Sequence, residues 1–206
     1  NIFYYITAYN ENYEMPSMPE KKDVQDGILA GAYHYQSTKS EKSSQVHLLG
    51  SGSIMQQVLA AKEKLEVMGL EVSVWSVTSY NELCREAEEC DRHNRLHPFD
   101  TERVPYLLNL FAKTKGVYVA ASDYMKALPN SIAPWMPKSF LILGTDGYGL
   151  SESRPDLREY FEISADYICH AALVGLFRNE ELSATELKKK LKSLDVDADK
   201  VNPMNR

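Results

Sequence analysis

The stretch that decides the fold reads Val46-His47-Leu48-Leu49-Gly50-Ser51-Gly52-Ser53-Ile54. An apolar run that stops at a turn of glycine and serine predicts a strand followed at once by a helix. The helix is indicated by apolar residues spaced four, three, four and three positions apart, which places them on one face. They are Ile54, Val58, Ala61, Leu65 and Met68. Gly69 predicts the end of this helix.

The same alternation of strand and helix continues along the chain. Strands are predicted at residues 71–78, 117–121 and 140–144, where the apolar runs are short and rich in β-branched residues. Helices are predicted from Ser79 with Glu82 as a capping box, over 106–114, from near Pro155, over 165–178, and from Ser183 with Glu186. Strands and helices at this spacing indicate βαβ units. The expected fold is a three-layer α/β/α domain with a mixed, mostly parallel sheet.

The segment before residue 46 is less regular. Residues 1–8 are rich in aromatic and β-branched types and predict a strand or extended arm, and residues 10–20 predict a linker. A short helix is expected over 23–30 and a strand over 32–36. The polar loop 38–45 suggests that this strand forms a hairpin with the strand at 46–50 and lies antiparallel to its neighbour. We therefore expect an N-terminal arm at 1–23, coming from a preceding domain, and one α/β domain at 24–206.

Composition excludes several classes of protein. The 206 residues carry 23 Lys and Arg against 29 Asp and Glu, a formal net charge of −6, which argues against a general nucleic-acid binder. The apolar stretch at 167–177 is shorter than the roughly 20 residues that a membrane span needs. Three scattered cysteines predict no disulfide framework, so we expect a cytoplasmic protein. The chain starts without Met, which suggests a piece of a longer polypeptide.

The turn Gly50-Ser51-Gly52-Ser53 could hold an anion on its backbone amides. It does not match the dinucleotide fingerprint, because Met55 stands at the third glycine position, and it lacks the lysine of a P-loop. It also does not centre a serine as a nucleophile elbow does. A tight strand-to-helix turn is the favoured interpretation, and a ligand loop is the alternative.

Four residues of metal-binding type lie close together in sequence: Cys84, Cys90, His93 and His97. Their spacing does not fit paired zinc ligands, and both cysteines fall on the apolar face of the helix that begins after Ser79. We therefore predict packed cysteines without metal. His170 lies within an apolar helix and is expected to be a hydrogen-bonded core residue. The polar stretch 93–103 could act at an interface, although a solvated loop is the favoured interpretation.

Longer motifs carry a resemblance to a known family. These are residues 4–7, 10–13, 15–20, 48–54, 74–79, 94–98, 103–106, 121–126, 143–149, 151–154 and 197–203. Together they resemble the C-terminal, transketolase-like domain of the homodimeric pyruvate dehydrogenases, whose decarboxylating component uses thiamine diphosphate. The resemblance covers essentially the whole chain. The polar loop after Ser37 and the last three residues depart from the family pattern without touching a motif.

The resemblance implies an enzyme that oxidatively decarboxylates pyruvate and acetylates a lipoyl group of a dihydrolipoyl acetyltransferase partner. It also implies that thiamine diphosphate and magnesium bind to other domains, because this chain lacks the Gly-Asp-Gly diphosphate motif with its later Asn. No catalytic, cofactor-binding or metal-binding residue is therefore expected here, and the fragment alone is expected to be inactive. Its expected role is assembly with the other domains and within a homodimer, without nucleic acid or membrane as partner.

The expected docking loop follows the strand at 140–144. It comprises Gly144, Thr145, Asp146, Gly147, Tyr148 and Gly149, together with Arg154. The carboxyl edge of an open α/β sheet is where partners and ligands converge, which is why this loop is chosen. Two alternatives stay open: a nucleotide- or phosphate-binding regulatory module, and an interaction domain for a lipoyl or peripheral subunit-binding domain.

Overall fold

A computed structural model of the chain describes residues 3, 6, 8, 12–14, 16–20, 24–43 and 45–205. Its centre is a five-stranded sheet made of β1 (Ala32–Ser37), β2 (Val46–Gly50), β3 (Val72–Val77), β4 (Val117–Ala121) and β5 (Phe140–Leu143). The strand order is β1-β3-β2-β4-β5. Four strands are parallel, and β1 runs antiparallel to β3. The predicted mixed, mostly parallel sheet is confirmed.

The predicted hairpin is wrong. β1 is antiparallel to its neighbour as expected, but that neighbour is β3, and the polar loop after β1 crosses the start of β3 to reach β2. The Thr38 amide donates to the Val72 carbonyl at 2.9 Å, and the Gln45 amide donates to the Glu71 carbonyl at 2.9 Å. The physical reason is burial. β3 is apolar and almost wholly buried, so it needs a strand on each side, whereas the half-buried β1 suits an edge.

One face of the sheet is covered by α2 (Met55–Val67) and α7 (Ala165–Arg178), with α6 (Arg154–Tyr160) and α8 (Ala184–Leu191) beside them. The apolar stripe predicted for α2 is confirmed: its first four members are buried and Met68 packs against them. α7 approaches so closely that a Cβ atom on Gly175 would lie 2.5 Å from Cγ1 of Val117. A glycine at this position therefore lets the helix backbone rest on β4.

The other face is covered by α3 (Tyr80–Leu96), α4 (Tyr106–Phe111) and the short α5 (Ala127–Asn130), and α1 (Val24–Ala30) packs on β1. Three layers result, as predicted. Ser79 accepts the Glu82 amide at 3.1 Å and begins α3, while the capping box of Ser183 and Glu186 is complete at α8. α5 and the 3₁₀ turn Ala133–Trp135 were not predicted. The strand or arm expected at 1–8 lies mostly outside the described residues; Phe3, Ile6 and Ala8 have no regular secondary structure.

Candidate functional site

The predicted docking loop follows β5, at the carboxyl edge of the sheet, and its first half is bound tightly to the loop after β4. A Cβ atom on Gly144 would lie 2.7 Å from the Tyr124 carbonyl, so the two backbones touch. The Thr145 amide donates to that carbonyl at 2.9 Å. Asp146 accepts the Lys126 amide at 2.9 Å and lies 3.3 Å from the Lys126 ammonium. Asp146 therefore joins two loops of this domain.

The second half of the loop points away from the domain. Gly147 has a φ of +94°, a conformation that glycine adopts without strain and other residues rarely do. The next side chain, Tyr148, is 87% exposed, and Leu150 is half exposed. A Cβ atom on Gly149 would meet no atom within 4 Å. This half presents an aromatic and an aliphatic side chain to the surroundings.

The C-terminal tail supports the exposed half of the loop. A Cβ atom on Gly147 would lie 3.1 Å from the Pro203 carbonyl, so the tail rests against the turn. The tail is in turn fixed by Lys200, whose ammonium donates to the carbonyls of Glu159 and Tyr160 and lies 5.0 Å from the centre of the Tyr167 ring. Positive charge at the carbonyl end of α6 complements the helix dipole. The loop and the tail thus form one surface, to which Val201 and Met204 add exposed apolar side chains.

Arg154 does not belong to this surface. It begins α6, and its guanidinium lies 5.9 Å from the centre of the Tyr13 ring, on which Arg158 also lies at 5.8 Å. Arg158 donates to the Tyr13 hydroxyl at 3.2 Å. The two arginines therefore hold Tyr13 against α6.

The serine-rich turn after β2 is tied to the loop after β4. The Ser51 hydroxyl donates to Ser122 at 3.1 Å, and the Ser53 hydroxyl donates to Asp123 at 3.1 Å. These hydroxyls close the sheet edge at the place where the strand order reverses. The arrangement agrees with a strand-to-helix turn, which was the favoured interpretation.

A cavity of about 580 Å³ lies beside this turn, between the carboxyl ends of β2 and β3 and the side of Tyr13, Pro16 and Met18. Tyr33, Tyr35 and Met55 also line it, and none of its described lining residues carries a charge. A phosphate needs cationic side chains or a set of converging amides. The lining of this cavity therefore gives no support to the phosphate-binding alternative.

The cysteines of α3 pack as predicted. Cys90 is buried and Cys84 is partly buried, with its thiol directed at the Ser131 carbonyl at 3.6 Å. Burial, together with the nearby Glu86 carboxylate, raises the pKa of the Cys90 thiol to about 11, which keeps it protonated and unreactive at neutral pH. His93 and His97 stack on each other at 4.6 Å. Among the described residues, no group of three or more His, Cys, Asp or Glu side chains is arranged to hold a metal ion.

The buried histidine of this fold is His47, which the sequence did not single out. His170 is only half-buried, contrary to expectation, and burial lowers its pKa. His47 is fully buried in β2; its Nε2 lies 2.9 Å from the Lys115 carbonyl and its Nδ1 accepts the Trp75 indole N–H at 3.2 Å. Its ring stacks on Tyr118 at 4.6 Å. These bonds assign the neutral tautomer with the proton on Nε2.

No helix of the described part of the chain is long and apolar enough to span a membrane. All three cysteines are free.

Comparison with known proteins identifies the fold and its relatives. The chain is 42% identical over 205 residues to the pyruvate dehydrogenase E1 component of Escherichia coli K12, covering 98% of this chain and 22% of that protein. It is 38% identical over 207 residues to the E1 component of Pseudomonas aeruginosa, covering 100% and 23%. The chain thus spans less than a quarter of the length of these relatives.

Solved structures agree on the fold. A transketolase from Pichia stipitis, solved in complex with xylulose-5-phosphate, superposes with a TM-score of 0.56 at 15% identity, over 82% of this chain and 22% of that one. A second transketolase structure from the same organism gives a TM-score of 0.54. The family model of the transketolase-like TK C-terminal domain matches residues 31–164, which is more than half of the chain. This chain therefore belongs to the family of transketolase-like C-terminal domains.

Proposed function

We propose that this chain is the C-terminal assembly domain of a pyruvate dehydrogenase decarboxylating component. The observation that carries the proposal is the 42% identity to the Escherichia coli E1 component, which extends over 98% of the chain. The whole enzyme would oxidatively decarboxylate pyruvate and pass the acetyl group to a lipoyl group of a dihydrolipoyl acetyltransferase. The free cysteines suit a cytoplasmic location.

Thiamine diphosphate would supply the nucleophilic carbon for decarboxylation, with magnesium holding its diphosphate. Among the described residues, no group of three or more His, Cys, Asp or Glu side chains is arranged to hold the magnesium ion. The carboxyl edge of the sheet offers loops tied to each other by hydrogen bonds rather than a set of groups arranged for catalysis. We propose that both groups bind to the rest of the enzyme, as the resemblance implies, since this chain lacks the Gly-Asp-Gly diphosphate motif with its later Asn.

The part that this chain plays is docking, through the surface formed by residues 147–150 and the tail 201–204. Tyr148 is the natural anchor, because an exposed aromatic side chain next to apolar neighbours gains most from burial in an interface. Its supports, Asp146 to Lys126 and Lys200 to the end of α6, belong to the domain itself. The domain thus holds the anchor in place before any partner arrives, which lowers the entropy cost of docking.

The test uses the full-length enzyme with the change Tyr148→Ala. Loss of an interface anchor costs about 2 kcal/mol or more, so the dissociation constant of the homodimer should rise by roughly 30-fold, or pyruvate turnover should fall, without a change in the melting temperature of this domain. Analytical ultracentrifugation over a dilution series and a turnover assay measure both effects. Val67→Ala is the control, since Val67 is 90% exposed on α2.

Unchanged association and unchanged turnover in Tyr148→Ala would show that the loop is only a turn. The variant Asp146→Ala tests a residue that supports the loop from within the domain, whereas Tyr148→Ala tests the residue that contacts the partner. Because Asp146 binds Lys126 within the domain, this change should lower the domain's own melting temperature as well as docking.

A further inference from the structure

The end of α3 leaves the body of the domain. Cys90 is the last buried residue of this helix, yet the helix continues to Leu96, and the chain reaches the core again only at Pro105. None of the residues 91–104 is buried. We call this helix end and return segment the projection (residues 91–104).

The projection has a fixed backbone. The side-chain amide of Asn94 donates to the Arg103 carbonyl at 2.9 Å, and its oxygen accepts the Arg103 amide at 2.9 Å. The Asp100 amide donates to the His97 carbonyl at 3.1 Å, which closes a turn at the tip. At the base, the Trp135 indole donates to Asp91 at 3.0 Å. These bonds order a segment that contributes nothing to the core, although ordering a chain costs conformational entropy.

Among the side chains that this ordered segment displays, three are large and apolar. Phe99, at the tip, is 99% exposed, and Leu96 and Val104 on the two arms are about half exposed, at 49% and 50%. A single exposed apolar side chain is ordinary, whereas three of them lie on this one ordered projection. Charged residues of both signs lie near them in the sequence, among them Arg95, Asp100 and Glu102. An aromatic anchor with a polar rim is the usual anatomy of a protein interface.

We propose that the projection docks on another part of the same full-length polypeptide, with Phe99 inserted into an apolar pocket there. This inference rests on the proposed function, because it takes the chain to be one domain of a longer enzyme. The relatives support that occupant: this chain covers only 22% of the Escherichia coli protein, so the larger part of the enzyme lies outside it. A covalently linked surface also has a far higher effective concentration than a free partner.

The test places a photoreactive benzophenone side chain at position 99 of the full-length enzyme. Dimers are prepared from a mixture of ¹⁴N- and ¹⁵N-labelled subunits, so that mass spectrometry separates cross-links within one chain from cross-links between chains. We expect a major cross-link within one chain, joining position 99 to a site outside this domain. The same side chain at position 67 is the control, and should give several-fold less cross-linking.

Three outcomes would overturn the proposal. Cross-links of mixed isotopic composition would assign the contact to a second copy, and cross-links to an added acetyltransferase would assign it to that partner. Equal, low yields at positions 67 and 99 would mean that the projection lies in solvent.

The substitution Phe99→Ser is an independent test of docking. Hydrogen exchange at residues 97–104 of the intact enzyme should accelerate at least tenfold, and no change in the exchange rate would contradict docking. If Tyr148→Ala weakens dimer association or lowers turnover as expected while one of these outcomes is observed, this inference is wrong and the proposed function is retained.

Discussion

Two helices cross opposite faces of the same sheet and use their residues differently. α7 buries eight residues between Ala165 and Leu176, and packing explains its apolar composition except for the exposed Phe177. α3 is longer, at 17 residues, but it buries only Tyr80, Leu83, Ala87 and Cys90. Its last turns hold exposed residues that the fold does not need. Where a segment of the chain is more ordered than packing of the core requires, the extra order indicates a function outside the domain.

The largest effect on stability is expected from Gly175→Val in α7. The new Cβ atom would lie 2.5 Å from Cγ1 of Val117 and 3.1 Å from Cδ1 of Leu141, so the helix must move away from the sheet. Overpacking of this kind costs about 1 to 3 kcal/mol, more than the few tenths gained in helix propensity. Because the 2.5 Å contact is far inside van der Waals distance, urea unfolding should show a loss near the upper end of this range, about 3 kcal/mol.

Glu88→Val on the exposed side of α3 is the matched control, because it introduces the same side chain into a helix without touching the sheet. We expect a change within about 0.5 kcal/mol there. Similar losses at both positions would mean that α7 is not packed more closely than α3, and the contrast between the two helices would fail.

A smaller loss is expected from His47→Phe, which keeps an aromatic ring against Tyr118 but removes both hydrogen bonds. The Lys115 carbonyl and the Trp75 indole N–H then lose their partner, and an unsatisfied buried group costs about 1 to 3 kcal/mol. We expect a loss near 2 kcal/mol in urea unfolding, smaller than the loss expected from Gly175→Val.

A double-mutant cycle with Trp75→Phe sharpens this prediction. Trp75→Phe should cost less in the His47→Phe background than in the original protein, because the bond to His47 is then already absent. Additive losses would show that the two side chains do not act together.

Most of the sheet could be predicted from the sequence, because its strands are short apolar runs and its helices have clear periodicity and caps. The partner of β1 could not, since a polar loop is compatible with a hairpin as well as with a crossing over β3. What decides is the burial of Val72, Val74 and Trp75, which requires neighbours on both sides. The short α5 was not predicted for another reason, because four residues that include Pro129 and Asn130 show no helical periodicity.

The position of the docking loop after β5 is enough to place it at the carboxyl edge of the sheet. The sequence does not show that Asp146 binds within the domain while Tyr148 is exposed. Asp146 and Tyr148 both look like exposed loop residues in the sequence. The structure shows that Asp146 is bound inside the domain, because it contacts the amide and the ammonium of Lys126 in the neighbouring loop. The role of His47 was not predicted for the same reason, because its partners Trp75 and Lys115 lie far away in sequence. In each case the deciding contact is long-range.

The smallest effect is expected at the cap of α8, a helix that, like the end of α3, lies mostly in solvent. Hydrogen bonds from the Ser183 side chain and backbone lower the pKa of the Glu186 carboxyl. A carboxyl whose pKa falls on folding stabilises the folded state above its unfolded pKa of about 4.3, and this contribution is lost as the pH falls through the folded pKa. Glu186→Gln keeps an oxygen that can complete the capping box but removes the charge. The melting temperatures of the original protein and of this variant should therefore differ slightly at pH 7 and converge as the pH falls below the folded pKa of Glu186. A difference that persists at low pH would mean that the charge is not what Ser183 holds, and that the end of α8 is stabilised by packing, as α7 is.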